Sequence, residues 1–192
     1  MPRVSHDFPR KLPLVPSAPA AAGAVRSVDV NVSGLQDGTL ELGYVLAGDL
    51  HRLRIPRPRA SRHADELWKH TCFEAFIGVR GSDSYFELNV APSTERAVYS
   101  FKSYRQGMAP VNLRHPPRIS VAQSTDQLEV DVNLDLRALP GLFDNDKASR
   151  PALRVALAAV VEDENGRLSY WALKHAPDKP DFHHPDSFVL EL

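Results

Sequence analysis

Two glutamates and an asparagine lie on short stretches in which every second residue is apolar. Cys72-Phe73-Glu74-Ala75-Phe76-Ile77 and Tyr85-Phe86-Glu87-Leu88-Asn89-Val90 flank the turn-forming run Gly81-Ser82-Asp83-Ser84. Successive side chains of an extended chain point to opposite faces. If Phe73 and Ala75 face a dry interior, Glu74 faces away from it. If Phe86, Leu88 and Val90 face the interior, Glu87 and Asn89 face away as well. Antiparallel pairing of the two segments then brings Glu74, Glu87 and Asn89 onto one sheet face, with Trp68 at its rim. Carboxylate and amide groups orient hydroxyls, and an indole offers a flat apolar surface, so this face is suited to holding a small polar ligand.

Other chemistries share these residues. A polar strand face can simply be solvated, with Arg96 or Arg105 neutralising the glutamates. Two facing carboxyls also suit a glycoside hydrolase, which needs about 5 to 10 Å between them, and their mutual repulsion raises one pKa. Cys72 has His70 two positions away, as a nucleophile would want, but a lone strand cysteine is also a small buried hydrophobe. His183-His184 sits between Asp181 and Asp186, with His175 nearby. Adjacent histidines on an extended chain point apart, and His70 with Cys72 supplies only two ligands, so no metal site is expected.

The elements that must position these groups are strands. Val28, Val30 and Val32 alternate with polar residues, as do Leu40, Leu42, Tyr44 and Leu46, with Asp37-Gly38 as a hairpin signal between them. Residues 97–101 and 119–121 are short alternating stretches, and 127–134 alternates strictly. Residues 153–162 form a long β-branched run that Asn165-Gly166 turns into 168–174, and 188–192 alternates again. Residues 134–139 fit one helical turn, while 105–117, with Gly107, Pro110, Pro116 and Pro117, is irregular. This pattern predicts an all-β fold, an antiparallel β-sandwich of about ten strands with little helix. It excludes βαβ architectures, and neither a GxGxxG nor a GxxxxGK[ST] motif is present.

Residues 1–26 are rich in proline and alanine and read as an extended arm; residues 27–192 read as the sandwich. The formal net charge of −1 excludes bulk electrostatic attraction to nucleic acid or an acidic membrane. No apolar run is long enough to span a bilayer as a helix. With a single cysteine and no secretory signal legible at the start, the expected location is the cytoplasm.

The order of segments from Leu67-Trp68-Lys69-His70-Thr71-Cys72-Phe73-Glu74-Ala75-Phe76 to Tyr85-Phe86-Glu87-Leu88-Asn89-Val90-Ala91-Pro92 resembles the DOMON-like family of bacterial proteins, which is related to the family 9 carbohydrate-binding modules. Tyr170-Trp171-Ala172-Leu173-Lys174-His175 and the stretch from Lys179 to Asp186 add to the likeness. The resemblance implies a sandwich whose concave sheet holds a ligand, a saccharide or another small polar molecule, without catalysis or cofactor. In sugar-binding relatives two tryptophans clamp a terminal sugar and polar strand residues bond its hydroxyls. On that pattern Trp68, Glu74, Glu87, Asn89, Trp171 and Arg105 are the ligand-binding candidates, although Trp171 lies inside a strand, where packing between sheets is the competing role. Other relatives bind haem through a methionine and a histidine, which here would be Met108 with His70 or His175. Relatives fused to a cell-wall precursor reductase imply a further alternative, an interaction scaffold whose N-terminal arm meets a protein partner.

Overall fold

The computed structural model describes residues 9–18, 23–36, 38–143, 151–177 and 179–192. Residues 1–8 and 19–22 of the expected arm, and Asp37 of the expected hairpin turn, lie outside them. The strands are β1 (Arg10–Pro16), β2 (Val25–Gln36), β3 (Thr39–Gly48), β4 (Cys72–Val79), β5 (Tyr85–Val90), β6 (Arg96–Phe101), β7 (Ala109–Pro110), β8 (Arg118–Gln123), β9 (Gln127–Asp135), β10 (Leu153–Glu162), β11 (Leu168–Ala172) and β12 (Leu190–Glu191). Every pairing between them is antiparallel. The described helix is confined to short 3-10 turns, one of them Leu136–Ala138 at the expected helical turn. The all-β sandwich read from the alternation is the fold observed.

Strand order is β7-β6-β5-β4-β10-β11-β1-β2-β3-β9-β8, a path that curls into two layers. The switch between layers is β1. Arg10–Leu14 pair with β2, whereas Val15 and Pro16 pair with β11. The sandwich therefore recruits part of the stretch read as an extended arm, and its first described strand starts at Arg10 rather than near Ser27. The signal was masked by Pro13 and Pro16, which normally argue against a strand inside a sheet. They are accommodated because each residue of β1 pairs on one side only, as an edge-strand residue does.

The main core fills the space between the layers. Val28, Val30 and Val32 of β2, Leu42, Tyr44 and Leu46 of β3, and Leu128, Val130 and Val132 of β9 meet Phe73, Ala75 and Ile77 of β4 and Val155 and Leu157 of β10. Tyr44 joins the layers with a second kind of contact: its ring packs 5.0 Å from Phe73 and its hydroxyl donates to the Glu74 carbonyl at 2.8 Å. This bond pins the backbone of the very strand that presents Glu74.

A second apolar cluster covers the opposite face of β4, β5, β6, β10 and β11. It comprises Phe76, Tyr85, Tyr99, Phe101, Ala156, Ala158 and Val160, capped by Phe182 from the C-terminal segment. The layer is thus buried on both faces, which explains why β10 reads as a continuous apolar run rather than a clean alternation.

Candidate functional site

Between β4 and β5 the register pairs Glu74 with Asn89 and Phe76 with Glu87. Glu74 and Glu87 are therefore diagonal neighbours on one face, the arrangement expected from the sequence. Both point into the second cluster and are buried, at 3% and 4% exposure. Asn89 is fully enclosed beneath them. Its Nδ2 donates to Glu87 Oε1 at 2.8 Å, and its Oδ1 faces the Cys72 thiol at 3.8 Å. Asn89 thus holds Glu87 in place from below.

Above this floor opens a cleft of about 350 Å³, lined by Trp68, Glu74, Glu87, Phe101, Arg105, Met108, Val160, Tyr170, Pro180, Phe182 and His183. Four of the six candidates, Trp68, Glu74, Glu87 and Arg105, line it together. Asn89 supports it without lining it. Trp171 takes the packing role instead: it is buried in the main core between the layers, with its indole N–H donating to Ser169 Oγ at 3.1 Å. Alternation along β11 sends Tyr170 to the cleft instead.

Trp68 and Arg105 come from outside the strands. Trp68 lies in a 3-10 turn, Leu67–Lys69, and its ring stands edge-on to Tyr99 at 5.9 Å. Glu66, just before that turn, has φ 60°, and Arg105 itself has φ 54°. Left-handed backbone at a non-glycine residue costs of order 1 kcal/mol and collects at functional positions. Here it aims an indole and a guanidinium at one opening. Gly107 (φ +68°) closes the same turn, where an added Cβ would come within 2.8 Å of Lys102 Cγ.

Arg105 does not neutralise the glutamates. It makes a two-point pair with Asp181, Nη2 to Oδ1 at 2.8 Å and Nε to Oδ2 at 3.3 Å, while the Tyr104 hydroxyl donates to Oδ2 at 2.6 Å. Burial pushes the Asp181 carboxyl up, but the Arg105 and Tyr104 hydrogen bonds outweigh it and hold the group below its ordinary range. Arg96 is likewise directed elsewhere, to Ser61 Oγ at 2.6 Å.

His183 closes the cleft from the C-terminal segment. Tyr85 Oη accepts the Arg105 backbone N–H at 3.2 Å, which leaves its proton for His183 Nδ1 at 2.8 Å. That assignment puts the imidazole proton on Nε2, 3.8 Å from Glu87 Oε2. Burial, and then the Arg105 charge, lower the His183 pKa to about 4, so the ring is neutral.

With no cation paired to them among the described residues, the glutamates keep their protons to higher pH than free carboxyls do. Burial, and then repulsion from Glu87, push the Glu74 carboxyl well above its ordinary range. Burial raises Glu87 to about 7, against the lowering effects of Asn89 and Arg105. Among the described residues, Glu74 Oε1 is buried without a hydrogen-bond partner. Near neutral pH the floor therefore presents both proton donors and acceptors, able to orient a polar ligand or, in principle, to shuttle a proton.

The remaining candidates are dispersed. Met108 lines the cleft, but the His70 Nδ1 meets Glu162 at 2.7 Å in a separate hollow, and His175 Nε2 meets the Val15 carbonyl at 2.8 Å. Met108 is thus brought together with neither His70 nor His175; the histidine that shares its cleft is His183. His183 and His184 diverge, the latter accepting the Asp186 N–H at 3.2 Å. Among the described residues no group of three or more His, Cys, Asp or Glu is placed to hold a metal ion.

No family model and no curated protein matches the chain. Among solved structures, the chain is similar to a Bacteroides uniformis protein to which carbohydrate binding is ascribed, with a TM-score of 0.69 at 12% identity over 93% of this chain and 84% of that one. It also aligns with a family 9 carbohydrate-binding module from Caldicellulosiruptor kristjanssonii solved with glucose, with a TM-score of 0.49 at 9% identity over 85% and 73% of the two chains. The first of these likenesses establishes a shared sandwich fold.

Proposed function

We propose that this protein is a non-catalytic binding module that holds a small polar ligand, of the saccharide class, in the cleft on the outer face of β4, β5 and β6. The observation behind this reading is the convergence of an indole, aromatic walls and two buried carboxyls on one opening of about 350 Å³, within the usual range for small-molecule sites. Trp68 and Tyr170 provide flat surfaces on which the C–H faces of a sugar ring pack, and Glu74 and Glu87 provide partners for its hydroxyls. The carbohydrate binding ascribed to the Bacteroides uniformis protein of like fold supports the same ligand class, as does the resemblance of the Trp68–Pro92 segments to DOMON-like and family 9 binding modules.

Calorimetric titration with a panel of mono- and disaccharides tests the proposal. Binding of at least one sugar is expected, without turnover of the corresponding glycosides. Wild-type protein that binds no sugar, or that cleaves glycosides in a Glu74-dependent manner, rejects it.

A further inference from the structure

The cleft's charges do not balance. Asp181 and Arg105 cancel one another through their two-point pair. His183 gives its Nδ1 to the Tyr85 hydroxyl and is buried neutral. That leaves Glu74 and Glu87, two acids on one floor, with no cation paired to them among the described residues, and the Arg105 charge only partly offsets them while it is paired to Asp181. Protons on the carboxyls fill that role. Glu74 is 3% exposed, and among the described residues its Oε1 has no hydrogen-bond partner. A buried acceptor left unpaired is costly, and the cost is recovered by any ligand that brings a donor to it.

A sugar hydroxyl would satisfy one lone pair without taking the place of the protons. An ammonium group would do both, donating up to three hydrogen bonds and replacing the protons as counter-charge. The walls favour the same group. Trp68, Tyr170 and Phe101 line the opening, and aromatic faces attract cations, indole most strongly.

We infer that the cleft recognises a ligand bearing a protonated primary amine, its ammonium docked on the Glu74 and Glu87 carboxyls beside the Trp68 and Tyr170 rings. This rests on the binding-module reading above and narrows the saccharide class to amino sugars. Ammonium entry displaces the carboxyl protons to solvent, so that binding releases protons. The neighbouring Cys72, Tyr85 and Tyr99 are all pushed up by burial and contribute none.

Titration calorimetry at pH 7 with glucosamine, glucose, N-acetylglucosamine and cyclohexylamine, each in two buffers of different ionisation heat, tests the inference. Glucosamine is expected to bind at least about tenfold more tightly than glucose or N-acetylglucosamine, as buried charge-assisted hydrogen bonds allow, and to release protons. In folded Glu74→Gln and Glu87→Gln variants, verified by thermal unfolding, the ratio of glucosamine to glucose affinity is expected to fall toward one. Equal affinity for glucose and glucosamine overturns the amine inference and leaves the saccharide reading standing. Cyclohexylamine binding with proton release, in the absence of any sugar binding, upholds the amine and overturns the saccharide reading. Silence from all four ligands overturns the amine inference, and the saccharide reading falls with it only if the wider sugar panel is silent too.

Discussion

The Tyr85 hydroxyl stands 2.8 Å from His183 Nδ1, 98 residues further along the chain. The same oxygen accepts the Arg105 backbone N–H at 3.2 Å. One phenol thus ties together a floor strand, the turn that presents Arg105 and the C-terminal segment that roofs the cleft. Its ring stacks on Phe101 at 4.8 Å, nearly parallel, so the aromatic packing and the hydrogen bonding are separable.

Tyr85→Phe separates them. The stack is retained, while a buried imidazole nitrogen and a backbone N–H lose their partner. The expected cost is about 1–3 kcal/mol of folding stability, read by urea denaturation. A loss below roughly 0.5 kcal/mol, the range of ordinary surface substitutions, would show that water takes over both bonds and that Tyr85 does not tie the roof to the floor.

The cleft acids and His183 pull the pH dependence of stability in opposite directions. Glu74 and Glu87 hold their protons to higher pH folded than unfolded, so the native state binds more protons above about pH 4.5 and stability falls as pH rises, through about 7 for Glu87. His183 is neutral in the fold down to about pH 4, whereas the unfolded histidine protonates below 6.5, so its contribution rises with pH across that window. Each group alone has a limiting slope of about 1.4 kcal/mol per pH unit. Two acids against one histidine predict a net decline between pH 5 and 7. His183→Asn is expected to steepen that decline and Glu87→Gln to flatten it. Denaturation midpoints across pH 4.5–8 check this, and slopes that move in the same direction in both variants would contradict the assignment.

Trp68 and Trp171 have opposite roles. Trp68→Ala is expected to weaken ligand binding by at least about tenfold, as loss of an aromatic anchor does, with a small effect on stability because the ring sits at the cleft rim. Trp171→Ala opens a cavity in the main core and is expected to cost about 3–5 kcal/mol, while the fraction that stays folded binds as before. Titration of both variants alongside thermal melts separates the roles. A Trp171 variant of full stability, or a Trp68 variant of full affinity, would reverse them.

How much of this was legible beforehand follows from which forces are local. Period-two alternation specified that Glu74, Glu87 and Asn89 share a face, because backbone geometry alone fixes that relation. It did not decide between Tyr170 and Trp171. β11 belongs to a layer buried on both faces, so both phases of the alternation are apolar and the sequence offers no inside or outside. In the sequence Asp181 and His183 stand out as weak metal-ligand candidates and as part of the stretch that carries the family likeness, not as partners of the cleft. Their real partners, Arg105 and Tyr85, lie 76 and 98 residues away, and tertiary contacts at such separation leave no trace in spacing. β1 was hidden by its prolines, whose tolerance depends on one-sided pairing that exists only once both layers are in place.

Cys72 offers an internal gauge of whether the floor opens. It is completely buried under the cleft, and burial, then the Glu74 charge, push its thiol well above the ordinary range. The thiolate is the reactive form, so a disulfide reagent can reach it only when the strands part. If β4 opens only with the whole fold, labelling in the native state should be slower than in the unfolded chain by about a thousandfold or more, the protection that ordinary domain stabilities provide. A ligand seated on Glu74 and Glu87 binds the closed form alone, so at a hundred times its dissociation constant it should slow labelling by about a further hundredfold. Labelling that is fast in the free protein and unaffected by a ligand proven to bind would place Cys72 in a locally opening edge and move the binding site away from this floor.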